Sequence, residues 1–235
     1  MPPVTGLDEL LFVAAPYVAL TLFFFGTIIR YRIRPFSYSS LSSQFLENEH
    51  HFWAQVPFHY GVLFVLAGHV VGFLLPRQLL GWNAAPFRLY LLEGTGLAAA
   101  ALCLVGLVNI VLRRLRRRRA RVTTTTMDWV VYGLLGVQLA SGVLVAVVYP
   151  WGSSWYASVM TPYLRSLATF GPEAGWVAAM PWLVKLHVFG LWALLGVFPF
   201  TRLVHVLVVP NPYLWRRTQV VRWLGASRAW KEPTR

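Results

Sequence analysis

An all-α integral membrane bundle of five transmembrane helices, N-terminus outside and C-terminus cytoplasmic, is the fold class that the sequence predicts. Three observations predict it. Of 235 residues, 57% are hydrophobic and only 12% charged, a composition outside the range of soluble domains. Apolar runs long enough for a helix to cross a hydrocarbon core about 30 Å thick occur five times, at roughly 8–29, 54–75, 89–112, 127–149 and 180–209. The 21 basic residues, against 8 acidic ones, give a formal charge of +13 and cluster between those runs on alternate sides.

The first run is too long for a secretory signal peptide and lacks a basic leader and a small-residue cleavage site, so it is expected to persist as a helix. Arg30, Arg32 and Arg34 follow it. Seven arginines from Arg113 to Arg121 follow the third run, and Arg216, Arg217, Arg222, Arg228, Lys231 and Arg235 follow the fifth. Sixteen of the 21 basic residues therefore share one side, while the other carries Arg77, Arg88 and Arg165. The positive-inside rule makes the crowded side cytoplasmic, and an odd number of spans puts the termini on opposite faces. Thr123 to Thr126 ahead of Asp128 supply hydroxyl caps and a first-turn acid for the fourth helix. Pro150, Pro162, Pro172 and Pro181, with Gly152, Gly171 and Gly175, mark an ordered outer loop that does not cross the membrane. Its Trp151, Trp155, Tyr156, Tyr163 and Trp176 suit the headgroup region.

Chemistry is carried by histidines. His50 and His51 sit among Gln44, Glu47, Asn48 and Glu49 and read as solvated loop residues. The other four lie within spans, where an ionisable side chain is costly and points to function. His59 and His69 are ten residues apart in the second span, about 15 Å along an ideal helix and about 80° apart in direction. His187 and His205, eighteen apart in the fifth, share one face about 27 Å apart. The two spans run in opposite directions, so His69 and His187 fall toward the outer side and His59 and His205 toward the cytoplasmic side. Two pairs at two depths suit two bis-histidine haems. The axial separations differ by about 12 Å for straight helices, and Pro199, between His187 and His205, is the expected kink.

Gly61, Gly68, Gly72, Gly190 and Gly196 flank these positions. They leave room for a flat macrocycle, or they serve helix packing, as Gly68-x-x-x-Gly72 equally fits. Arg202, three residues before His205, has two readings, a haem propionate partner or a snorkelling cation. Lys185, two before His187, has the same pair of readings on the outer side. Arg88, at the outer start of the third helix, suits a quinone headgroup, a propionate or an interfacial anchor.

Several classes are excluded. One cysteine, Cys103, in an apolar run allows neither a disulfide framework nor a Cys-ligated zinc or iron–sulfur centre within the chain. No converging zinc or copper set and no Ser-His-Asp arrangement occurs, and Gly94-Thr95-Gly96 lies in an apolar helix, the wrong context for a dinucleotide fingerprint. The basic residues belong to topology, so no nucleic-acid partner is expected. Membrane lipids are.

Phe58-His59-Tyr60-Gly61 running to Gly68-His69, Lys185-Leu186-His187 with Gly190, Phe198-Pro199-Phe200-Thr201-Arg202-Leu203-Val204-His205, and Arg121-Val122-Thr123-Thr124-Thr125 resemble the gamma, or membrane cytochrome b, subunit of respiratory nitrate reductase. The similarity covers most of the chain, including its length, five spans and outward N-terminus. It implies two b-type haems, with His69 and His187 as metal ligands of the outer one and His59 and His205 of the inner one, in agreement with the pairing by depth. It implies quinol as the substrate, oxidised near the outer haem, with electrons passing inward to an iron–sulfur beta subunit and a molybdenum-containing alpha subunit. Arg88 falls near a basic residue, usually lysine, that the family uses toward quinol. Gly68, Gly72, Arg202 and Arg88 are accordingly the candidate cofactor-binding residues beside the four histidines.

The expected protein is thus a multi-pass component of the cell membrane. Residues 1–209 would form the five-helix dihaem domain and residues 210–235 a cytoplasmic tail, whose Tyr213, Trp215, Trp223 and Trp230 among the basic residues suit an iron–sulfur partner. It would act as the quinol-oxidising subunit of a quinol:nitrate oxidoreductase complex, since no soluble catalytic domain is evident. A cytochrome b serving selenate, chlorate, sulfite- or heterodisulfide-type reduction is the alternative. A non-redox anchor or a transporter is a remoter one, and the inverted repeats a transporter would show are not found.

Overall fold

The computed structural model describes residues 4–33, 52–149 and 152–207; His50, His51, Arg34 and the tail from 210 onward lie outside the described residues. The main helices among the described residues are α1 (Gly6–Ile33), α2 (Phe52–Leu74), α3 (Pro76–Asn83), α4 (Pro86–Arg116), α5 (Arg118–Val122), α6 (Thr126–Val148), α7 (Thr161–Ala168) and α8 (Trp182–Val197). No strand occurs among the described residues. α1, α2, α4, α6 and the span that begins with α8 are long and apolar enough to cross a membrane. Large side chains such as Leu63, Leu66, Val70 and Leu74 are exposed along α2, which suits hydrocarbon rather than water.

α1 and α6 begin with the same device. Thr5 and Asp8 form a capping box at the start of α1, and Thr125 and Asp128 form one at the start of α6, each satisfying two N–H groups that a helix leaves open. Proline at the first turn starts α3 and α4, where its missing N–H costs nothing. α4 ends on Arg113, Arg114 and Arg116, cations that complement the negative end of the helix. Arg114 turns back to donate to the Ala120 carbonyl and to the Thr123 and Thr124 hydroxyls at 3.0, 3.0 and 3.1 Å. It therefore ties the α4–α6 connection together.

Pro16 and Pro57 lie inside continuous span helices, and each removes the donor for the carbonyl four residues earlier. Pro16 does this to Phe12, in a stretch of α1 where π turns occur at Leu10–Ala14 and Leu22–Gly26; the Tyr163 hydroxyl donates to the Phe12 carbonyl at 2.8 Å. Pro57 does it to Trp53, and Asn109 Nδ2 of α4 donates to that carbonyl at 3.3 Å. Neighbouring elements supply what the helix cannot.

The helices pack in the spatial order α2, α4, α6, α8, α1. α2 and α4 approach closely at glycines: a Cβ on Gly61 would lie 2.6 Å from the Ala99 carbonyl, and one on Gly106 would lie 2.9 Å from Phe58 Cα. Gly61 is thus a packing residue. The outer loop of the sequence reading is ordered and helical. Its α7 and the turn Gly175–Ala178 carry Tyr163, Leu167 and Val177 into a buried cluster with Phe12, Ala19 and Trp192.

The fifth span departs from the expected kinked helix. α-Helical geometry stops at Val197, a 3₁₀ turn covers Phe198–Phe200, Thr201 is extended at φ −114°, ψ 176°, and a second 3₁₀ segment covers Arg202–Leu207. Pro199 has ended the α-helix outright. The chain beyond it is redirected, so the 18-residue separation of His187 and His205 no longer follows one straight axis.

Candidate functional site

α2 and α8 share no extended packing, yet their histidines face each other in two pairs. The His69 and His187 ring centres lie 6.3 Å apart with planes inclined at 41°, and those of His59 and His205 lie 6.5 Å apart at 65°. The pairs are those that depth alone predicts.

The outward-turned nitrogen of every ring is engaged. His59 Nδ1 meets the Gln55 carbonyl and His69 Nδ1 the Val65 carbonyl, both at 2.8 Å; His205 Nδ1 meets the Arg202 carbonyl at 2.6 Å. A carbonyl only accepts, so Nδ1 is the donor in each of these three contacts, and in a neutral ring that leaves Nε2 as the nitrogen with a lone pair. His187 is held by α6 instead of its own helix, with Nδ1 3.1 Å from the Gln138 carbonyl and 3.1 Å from Ser141 Oγ. Ser141 itself donates to the Gln138 carbonyl at 3.1 Å. A Cβ on Gly142 would lie 2.8 Å from His187 Cε1. Gln138, Ser141 and Gly142 therefore contact the His187 ring, which the sequence reading did not foresee. Their signal was a Gln and a Ser in an otherwise apolar span.

The glycines divide by role. A Cβ on Gly68, adjacent to His69, would meet nothing within 4 Å, whereas one on Gly72 would make ordinary contact with Tyr156 and Leu79. Gly190 accommodates the Gln138 side chain, and Gly196 lies near Ala19 of α1.

The fifth-span cations have protein carboxylates as partners. Lys185 Nζ lies 2.9 Å from Asp8 Oδ1, and Arg202 Nε lies 3.0 Å from Asp128 Oδ1, with Arg202 Nη2 donating to the Thr123 carbonyl at 2.7 Å. Both aspartates are the capping-box acids of α1 and α6. Each uses its second oxygen on its own cap, Oδ2 accepting from the Thr5 or Thr125 N–H at 3.2 and 2.8 Å. Arg88 lies at the start of α4 with its guanidinium carbon 5.1 Å from the centre of the Trp82 ring, and its Nε is buried without a hydrogen-bond partner. At the same end of the bundle, a cavity of about 640 Å³ lies between α3 and α7, lined by Arg77, Arg165 and Thr161 among others. It does not include the histidines.

Comparison with known proteins places this five-span chain in a family. The nitrate reductase gamma subunit family model aligns with residues 8–224. The chain belongs to this family. It is 32% identical over 217 residues to the nitrate reductase gamma chain of Bacillus subtilis, covering 91% of this chain and 97% of that one. It is 33% identical over 214 residues to the respiratory nitrate reductase 2 gamma chain of Escherichia coli, covering 88% and 93%, and 32% identical over 212 residues to the respiratory nitrate reductase 1 gamma chain of the same organism. Residues 8–224, which the family model matches, take in all five spans of this gamma-family chain.

Proposed function

We propose that this chain is the dihaem cytochrome b subunit of a respiratory nitrate reductase, oxidising quinol near the His69–His187 pair and delivering electrons past the His59–His205 pair to iron–sulfur and molybdenum subunits. The observation that carries the reading is the ring separation. A metal held between two imidazole Nε2 atoms needs about 2.0 Å per bond and about 1.2 Å from each nitrogen to its ring centre, about 6.4 Å in all. The observed 6.3 and 6.5 Å bracket that value. Among the described residues no group of three or more His, Cys, Asp or Glu could hold a metal, so a metal on either pair would take its remaining ligands from outside these residues, as a macrocycle supplies them. The Nδ1 hydrogen bonds are of the kind that fix tautomer and orientation in metal-ligating histidines. His59 and His69 are exposed in the bare protein within an apolar span, where an uncovered imidazole is costly.

Bound between these pairs, haem iron would supply one-electron chemistry. The chain's own residues do the rest. Gln138 and Ser141 orient His187, and the Gln55, Val65 and Arg202 carbonyls orient the other three rings. Gly68 leaves the backbone beside His69 open to a flat ring. Arg88, with its buried Nε lacking a protein acceptor, suits a quinol oxygen. The crowding of cations on the Arg113–Arg121 side makes that face cytoplasmic, and it is the surface offered to the partner subunits. Carrying each electron inward against an outside-positive potential costs about 2.3 kcal/mol per 100 mV. Quinol oxidation must drive it.

The test is the dithionite-reduced minus oxidised spectrum of the purified complex. Two b-type haems per chain are expected, with His69→Ala and His59→Ala each abolishing one. Protein without b-haem absorption overturns the reading.

A further inference from the structure

The 3₁₀ stretch carrying His205 is restrained by side chains from two other helices. Carbonyls released from α-helical geometry at membrane depth must find donors elsewhere. Arg30, in the last turn of α1, donates through Nη1 to the Pro199 carbonyl at 2.6 Å and to the Thr201 carbonyl at 2.7 Å. One guanidinium thus spans the extended residue at which the fifth span changes direction. α1 can come this close because a glycine faces the break: a Cβ on Gly26 would lie 2.9 Å from Pro199 Cβ. From α6, Asp128 holds the Arg202 guanidinium, which also reaches the Thr123 carbonyl. The restraint passes directly to the histidine, since the Arg202 carbonyl is the acceptor that orients the His205 ring.

We infer that Arg30 and the Asp128–Arg202 ion pair are positioning residues of the His59–His205 site. They hold a segment whose local geometry α8 does not itself enforce, and they set both the placement and the rotation of the His205 ring. Arg202 acts through its backbone carbonyl and its carboxylate partner, a role different from pairing with a propionate. What His205 binds rests on the reading above; the restraint itself does not.

The experiment compares Arg30→Gln, Arg30→Lys and Asp128→Asn with the unmodified chain in the intact complex. Two readouts are used. Hydrogen–deuterium exchange of residues 198–207, which requires no haem, is expected to rise in Arg30→Gln and Asp128→Asn and to recover partly in Arg30→Lys. Low-spin haem signals and carbon monoxide binding by the reduced complex are expected to change for one haem of the two, because a loosened axial histidine lets carbon monoxide compete for the iron. The His69–His187 signals should stay as they are. Unchanged exchange in Arg30→Gln and Asp128→Asn overturns the inference, and so does equal disturbance of both haems. A wild-type complex without haem defeats the proposed function, and the exchange data then decide the restraint alone. Asp128→Asn retains a side-chain oxygen for the α6 cap and is the variant to use if Arg30→Gln fails to accumulate.

Discussion

The two histidine pairs reach almost the same ring separation by different means. At the His69–His187 end both histidines lie in unbroken α-helix, and His187 takes its orienting acceptor from the neighbouring α6. At the His59–His205 end each histidine lies near a proline. Pro57 precedes His59 by two residues, and Pro199 has already ended the α-helix before His205 is reached. The carbonyls left over are met by Asn109 at one proline and Arg30 at the other. One geometry is made between two α-helices and the other between an α-helix and a stapled 3₁₀ segment, so substitutions outside the histidines should affect the two ends unequally.

A common device underlies both ends. In each, a capping-box aspartate at the start of another span pairs with a cation two or three residues before a fifth-span histidine: Asp8 with Lys185 and Asp128 with Arg202. Only the second connects onward, because Arg202 also supplies the acceptor for its histidine.

The largest effects should come from the four paired rings. His187→Ala and His205→Ala are each expected to remove one of two haems and abolish quinol-driven nitrate reduction, read by difference spectra and by activity in membranes; retention of both haems in either variant would end the pairing. Next is Gly142→Ala, whose added methyl meets His187 Cε1 at 2.8 Å. It should disturb the His69–His187 haem signal and leave the other unchanged, and an identical effect on both would erase the distinction between ends. Asp8→Asn against Asp128→Asn is a subtler contrast. Both lose an ion pair of partly buried groups, with an expected cost of about 1–3 kcal/mol, measurable as a lower unfolding temperature in detergent. Only Asp128→Asn should alter a haem spectrum. Smallest is Tyr163→Phe, which leaves the Phe12 carbonyl without its hydroxyl donor at a cost of about 1–2 kcal/mol. It should lower stability while leaving both haem signals unchanged.

The sequence made the pairing legible because polar residues in apolar spans are few and their depth follows from which side each span starts on. It also put the α6 cap among Thr123 to Thr126 ahead of Asp128, and Thr125 is the residue that caps. It did not reveal where the cations go. Lys185 and Asp8 are 177 residues apart, and nothing in either local pattern says that they meet. The 12 Å mismatch in axial spacing was visible, as was Pro199, but a proline in an apolar run looks the same whether it bends a helix or ends it. The answer depends on Arg30 being within reach of the freed carbonyls, which is a tertiary fact. Gly61 read equally as clearance and as packing for the same reason. The short helices α3 and α7 lay in segments whose prolines and glycines signal connections, and each is too short and too polar to stand out as a span.

Phe12 and Trp53 show how the spans depend on one another in time. A carbonyl whose helical donor has been replaced by proline cannot be satisfied by its own span, and lipid offers no substitute. The donor to Phe12 arrives 151 residues later, on Tyr163, and the donor to Trp53 arrives 56 residues later, on Asn109. The donor to the first span's Phe12 carbonyl thus follows the fourth span in the chain, and the donor from Asn109 to the second span's Trp53 carbonyl belongs to the third. Assembly order is written into these two carbonyls, and a chain truncated before α7 would leave α1 with a reason to seek the wrong neighbour.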